Sequence, residues 1–128
     1  MRLSDAEYKE LKELIKNWII RIDETEELPK GIKALNFGLY EPFGIELTGA
    51  KTYNVEDDDW SLREDFVPEE RECPDLNVEE RLSWEYFLKV MVNILKELHA
   101  ELKKIDLFQV RHITTGYREG SLVLIHTA

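Results

Sequence analysis

The chain is short of the residues that usually announce a chemistry. It has one cysteine, Cys73, in 128 residues, which excludes an internal disulfide and fits a reducing compartment. Its six glycines are scattered, and no phosphate-cradling loop, G-x-S-x-G elbow or Ser-His-Asp order occurs among them. Bases are scarce: 17 Lys and Arg stand against 27 Asp and Glu, for a net charge of −10. That balance disfavours nucleic acid and anionic membrane surfaces, which both call for basic patches. No apolar run approaches the ~20 residues that cross a bilayer. The opening "MRLSDAEYKELKEL" alternates charge and carries no apolar signal-peptide core, so a cytosolic (cytoplasmic) protein is expected.

Apolar content is ample. At 43% hydrophobic, with three Trp, five Tyr and five Phe, the chain can build a core and is expected to form a single domain over residues 1–128. The charge is not spread evenly over it. Residues 56–80, "EDDDWSLREDFVPEERECPDLNVEE", hold twelve acids and two bases, while the other 103 residues hold fifteen of each. The whole imbalance therefore lies in one acidic connector. It also contains Trp60, Leu62, Phe66 and Val67, more apolar surface than a purely solvating tail would carry. These residues either pin the connector to the domain or await a partner. Pinning would hold the carboxylates on a rigid ridge, which loses less entropy on binding than a flexible one.

The periodicity flanking the connector is regular. Tyr8, Leu11, Ile15, Trp18 and Ile22 form one face of a helix from about Asp5 to Ile22. Ser4 with Glu7 makes a capping box at its start, closed by Leu3 and Tyr8. Leu35, Phe37 and Leu39, then Ile45 and Leu47, alternate with smaller or polar residues around "EPFG", the pattern of a β-hairpin. A second helix is expected from near Val78, where Asn77 and Glu80 could form another capping box, to about Lys103; Ser83 offers a later start. Phe87, Met91, Ile94, Leu98 and Leu102 give its buried stripe. The last 24 residues read as a second hairpin, turning at Arg118 to Gly120 with Gly120 in the left-handed position. Each half ends in strand–turn–strand with Gly and Tyr before the turn, a faint internal repeat or a coincidence. The expected fold class is α+β: helix–hairpin–helix–hairpin, with a four-stranded, mostly antiparallel sheet and both helices packed on one face.

Few residues suggest catalysis or metal binding. The hairpin register above sets His112 directly opposite His126, at ~5 Å between Cβ atoms. Zinc needs three or four ligands, and the cysteine is far away in the connector, so ordinary sheet histidines are the simpler reading. The acids around Cys73 raise a thiol pKa, against a nucleophilic role. In "EDDD" the acids are contiguous and no Gly follows, unlike the alternating ligands of a calcium loop. No cofactor and no metal site is expected, and the protein reads as a non-enzyme.

"KTYNVEDDDWSLREDFVPEE" is similar to a group of small bacterial proteins, in the residues Tyr53, Asp57 to Trp60, Glu64 to Phe66 and Pro68. The later residues Trp84, Phe87, Leu88, Gly116, Tyr117, Gly120 and Leu122 extend the likeness over roughly residues 50–125. Proteins of this group resemble the immunity partners of secreted bacterial toxins, and they bring no catalytic residues to carry over. The resemblance implies a toxin inhibitor, and the charge pattern agrees: a basic protein partner steered onto Asp57, Asp58, Asp59, Glu64 and Asp65, with Trp60 as the desolvated anchor if it is exposed. The alternative is a self-associating structural or regulatory module, a homodimer paired through sheet edges, with a merely solubilising acidic loop.

Overall fold

A computed structural model of the chain describes residues 2–74, 76, 78 and 82–127. The order of elements is α1 (Asp5–Thr25), β1 (Ala34–Tyr40), β2 (Gly44–Ala50), α2 (Trp84–Glu101), β3 (His112–Tyr117) and β4 (Val123–Thr127). The class is α+β, two helices on a four-stranded mixed sheet.

Local sequence accounts for the helices. The Ser4 hydroxyl accepts from the Glu7 amide at 3.1 Å, and the Glu7 carboxylate accepts from the Ser4 amide at 2.9 Å, so the expected capping box forms. Helix α1 runs three residues beyond Ile22 and buries Leu11, Ile15, Trp18, Ile19 and Ile22. Helix α2 starts later than Val78. Ser83 caps it by accepting from the Tyr86 amide at 3.2 Å, and it ends at Glu101 rather than Lys103. The alternative Asn77–Glu80 box lies outside the described residues. The two helices lie side by side, tied by Lys12 reaching Glu97 at 3.0 Å and Tyr8 donating to Glu97 at 3.1 Å.

The sheet order is β2-β1-β3-β4. Both hairpins are antiparallel, but β1 and β3 pair in parallel, from Ala34 with His112 to Leu39 with Tyr117. The sheet is therefore mixed, with its one parallel pairing at the centre. Each half delivers a hairpin after its helix, and the two hairpins dock through their first strands. Gly38 and Gly116, the glycines of the suspected repeat, are register partners there.

The last hairpin corrects two expectations. Thr115 opposite Val123 and Thr114 opposite Leu124 keep the expected register, but a bulge after Ile113 shifts the remainder by one residue. His126 then faces Ile113, and His112 faces Thr127. The loop between strands is also longer than three residues. It closes by the Gly120 amide donating to the Tyr117 carbonyl at 3.0 Å, and Gly120 has no left-handed backbone to adopt.

Both helices cover one face of the sheet. Leu35, Phe37, Leu39, Ile45, Leu47 and Ile113 meet them in the main core, where Trp18 stands edge-on to Phe37 at 6.1 Å. The connector supplies the rest of the enclosure. Its backbone runs along the outer edge of β2: Gly49 and Phe66 exchange both amide bonds, at 2.9 and 3.1 Å, Leu47 donates to the Arg71 carbonyl and Cys73 donates to that of Ile45. Trp18 ties it from below by donating from Nε1 to the Glu70 carbonyl at 2.7 Å.

That last bond is expected to be detectable. Trp18→Phe keeps an aromatic ring in the core but leaves the Glu70 carbonyl without its donor, at a cost of about 1–3 kcal/mol in urea unfolding. The amides of Phe66 and Cys73 should exchange faster in the variant. Unchanged stability with unchanged exchange would show that Trp18 does not hold the connector.

Candidate functional site

The open face of the sheet is where the connector becomes a site. Ala34, Ala50, Thr48 and Thr114 are buried although neither helix reaches them, because residues 51–66 fold across that face. Asp59–Leu62 forms one short 3-10 turn that drives Trp60 into it. Trp60 is only 5% exposed, packed on Ala34 and Ala50 with Tyr53 and Leu122 around it. Tyr53 tilts onto Trp60 at 5.1 Å and stacks flat on His112 at 3.8 Å. The sequence alternatives for Trp60 thus separate: it is a pin, and it is not available as an exposed anchor.

Around the pin, polar groups fix the acids. Asp57 accepts from the Asn54 side-chain amide at 2.9 Å and from the Asp59 backbone amide at 3.1 Å. The Glu56 amide donates back to Asn54 Oδ1 at 2.9 Å. Asp58 accepts from the Leu122 amide at 3.1 Å, a link across to the β3–β4 loop, and its carbonyl takes both the amide and the hydroxyl of Ser61. Short polar side chains satisfying nearby amides are the ordinary chemistry of Asx turns. Here they order a crest at residues 56–59 whose carboxylates remain exposed.

The five carboxylates named from sequence divide into two groups. Asp57, Asp58 and Asp59 stand together on the crest, and among the described residues no Lys or Arg comes within ion-pair distance of them. Glu64 and Asp65 are engaged with their own chain. Arg71 reaches Glu64 at 2.6 Å and Glu46 at 3.4 Å, while Arg63 lies 3.4 Å from Asp65. The Lys51 amide, with Arg63 beside it, holds the Asp65 carboxyl below the usual carboxylate range. Further along, Glu70 pairs with Arg21 of α1 at 2.6 Å. Among the described connector acids, Glu64, Asp65 and Glu70 are thus structural, while those at 56–59 are displayed.

Between the crest and the sheet runs a polar cleft of about 380 Å³, lined among others by Asn36, Thr48, Asp58, Asp59, Arg71 and Arg118. Thr114 donates to Asn36 Oδ1 at 3.0 Å on its floor. Among the described residues no cluster of three or more His, Cys, Asp and Glu is placed to hold a metal ion. The histidines differ in their contacts as well as in register: His112 Nδ1 meets Thr127 Oγ1 at 2.8 Å, whereas His126 stacks on His99 of α2 at 4.2 Å. The partnership of Arg71 with Glu46 and Glu64 escaped sequence reasoning; Arg71 as one of only two bases in the connector was its one visible signal.

Compared with known proteins, the chain matches no family model, no curated protein and no solved structure.

The histidines should make stability depend on pH. Burial, with the charge of His126 behind it, lowers the His99 pKa from 6.5. Burial, then Arg111 and His126, lowers that of His112 in the same direction. Between the lowered folded values and ~6.5 the unfolded chain binds more protons, so stability is full above that window and falls as pH drops through it. The urea midpoint is expected to decline from about pH 8 to about pH 5.5 and to decline less in His99→Gln. Equal declines in both proteins would remove His99 from the account.

Proposed function

We propose that this chain is a non-enzymatic binding protein that captures a cationic protein through its acidic crest. A toxin domain with a basic cleft is the partner to which the resemblance to immunity proteins points. One observation carries the reading: Glu56 to Asp59 are exposed, tied in place by hydrogen bonds, and without a cation of the described chain to neutralise them. Carboxylates with no other purpose would be expected to find lysines, to spread apart or to stay unanchored. Holding them together stores mutual repulsion that a basic surface relieves.

The mechanism is electrostatic steering followed by docking on a prepared surface. A concentrated negative field raises the rate of encounter with a basic protein, and opposed charges orient it. Because the crest is already ordered, little conformational entropy is lost on contact. Trp60 serves by immobilising the crest from beneath, and Glu64 and Asp65 by fixing its far end.

The triple variant D57N/D58N/D59N tests this directly, since each Asn keeps a carbonyl oxygen to accept the bonds that Asp57 and Asp58 accept now. With a partner recovered using the chain as bait, association at low salt is expected to slow by about tenfold or more. The difference should vanish near 1 M salt, where the screening length is about 3 Å. Equal association rates for both proteins at every salt concentration would sink the proposal.

A second reading rests on the outer side of β4. The β2 edge is covered by the connector, but β4 ends the sheet, and among the described residues no strand pairs beyond it. Two copies paired there would extend the sheet across a two-fold axis. Sedimentation at rising concentration should then show a dimer that Ile125→Pro abolishes; a strict monomer excludes it.

A further inference from the structure

The β3–β4 loop separates the crest from a second feature. Trp84, the first residue of α2, is 55% exposed, unlike the buried Trp18 and Trp60. It stands edge-on to Tyr117 at 5.8 Å and 87°. With Leu88 these rings wall a groove of about 480 Å³, and Glu41 and Glu119 lie on its rim. Glu41 and Glu85 are close enough to Tyr117 that their charges add to burial in pushing its phenol pKa up. Among the described residues none of Glu41, Glu85 and Glu119 is ion-paired. The Tyr117 hydroxyl is buried and, among the described residues, has no hydrogen-bond partner. An aromatic wall and unneutralised carboxylates converge on one space.

We infer that this groove receives an arginine side chain of a basic polypeptide, with Trp84 as the platform for its guanidinium and Glu41 and Glu119 as its counter-charges. The occupant follows from charge complementarity. Two carboxylates on the rim of an apolar slot, with that of Glu85 near Tyr117 behind it, exclude an anion and make a neutral apolar side chain a poor match. The indole face attracts a cation, and a planar, weakly hydrated guanidinium can stack on it while donating to carboxylates. A lysine ammonium has no plane to stack and holds its water more tightly. The position fits the same partner: Gly120 lines both this groove and the cleft beneath the crest, and Asp58 grips the Leu122 amide of the same loop. The inference rests on the binding reading above and supplies the desolvated anchor that buried Trp60 cannot be.

Calorimetric titration of the full chain at low salt with a hexa-arginine peptide tests it. Saturable binding is expected, accompanied by a change in the emission of Trp84, the one exposed indole. Trp84→Ala should weaken binding by about tenfold or more, and Trp84→Phe by less, because a ring face remains. Glu41→Gln with Glu119→Gln should weaken it as well. Hexa-lysine binding as tightly as hexa-arginine would overturn the assignment of a guanidinium. Binding unaffected by Trp84→Ala but lost in D57N/D58N/D59N would overturn the groove and leave the crest standing. Loss of binding in Trp84→Ala, with retention in the Asn variant, would support the groove and count against the crest. Trp84 lies outside the core, so the variants keep the fold, and unchanged circular dichroism checks this.

Discussion

A four-stranded sheet with both helices on one side has another side to cover, and here the burial of Trp60 against Ala34 and Ala50 covers it. Small residues at those two positions leave a shallow seat, and the indole fills it; removing a buried Trp typically costs about 3–5 kcal/mol. The consequences spread outward from that contact. With Trp60 seated, Tyr53 stacks on His112 and the 3-10 turn places Asp58 under the Leu122 amide. The crest is then tied by hydrogen bonds on both sides. The same connector, continuing past Phe66, occupies the edge of β2 and removes one of the sheet's two unpaired margins.

The electrostatics depend on this packing as much as on charge. Arg71, Arg63 and Arg21 each take a connector carboxylate, yet these partners are partly solvent-exposed, at 34%, 58% and 46% of the side chain. Such pairs contribute at most about 1 kcal/mol each. Their consequence is geometric: they settle the course of residues 63–71 against α1 and β2. Where the cations stop, the acids at 56–59 remain unbalanced. The asymmetry is thus a result of which carboxylates the fold can reach, and Gly120 of the β3–β4 loop lines both the cleft beside the displayed ones and the Trp84 groove.

Much of the scaffold was legible in the chain. Leu35, Phe37 and Leu39 alternate because one face of β1 is buried, and period-2 patterns report that without any knowledge of what buries them. The Ser4–Glu7 box is local hydrogen bonding and so needs no tertiary information. The stripe from Phe87 to Leu98 likewise marked α2, although its start moved to Ser83 because a capping serine can be offered by several positions. The failures were at longer range. A bulge at Ile113 cannot be read from alternation, and it separated the two histidines that simple register had paired. Parallel pairing of β1 with β3 joins residues 78 apart, and no local pattern encodes a neighbour at that distance. Trp84 and Tyr117 were visible singly, but their meeting depends on where α2 crosses the second hairpin.

By itself, the sequence determined the elements, the buried faces and the confinement of the net charge to one connector, because periodicity, capping and charge are properties of neighbours along the chain. Only the tertiary structure decided which of those charges remain displayed. Glu64, Asp65 and Glu70 found arginines close by in space, whereas Asp57 and Asp58 found backbone and side-chain amides that position them without cancelling their charge, and Asp59 is held beside them through its own backbone amide. The tertiary structure also turned Trp60 inward and left Trp84 facing water. Composition treats the two indoles alike, and only the surfaces each one meets tell them apart.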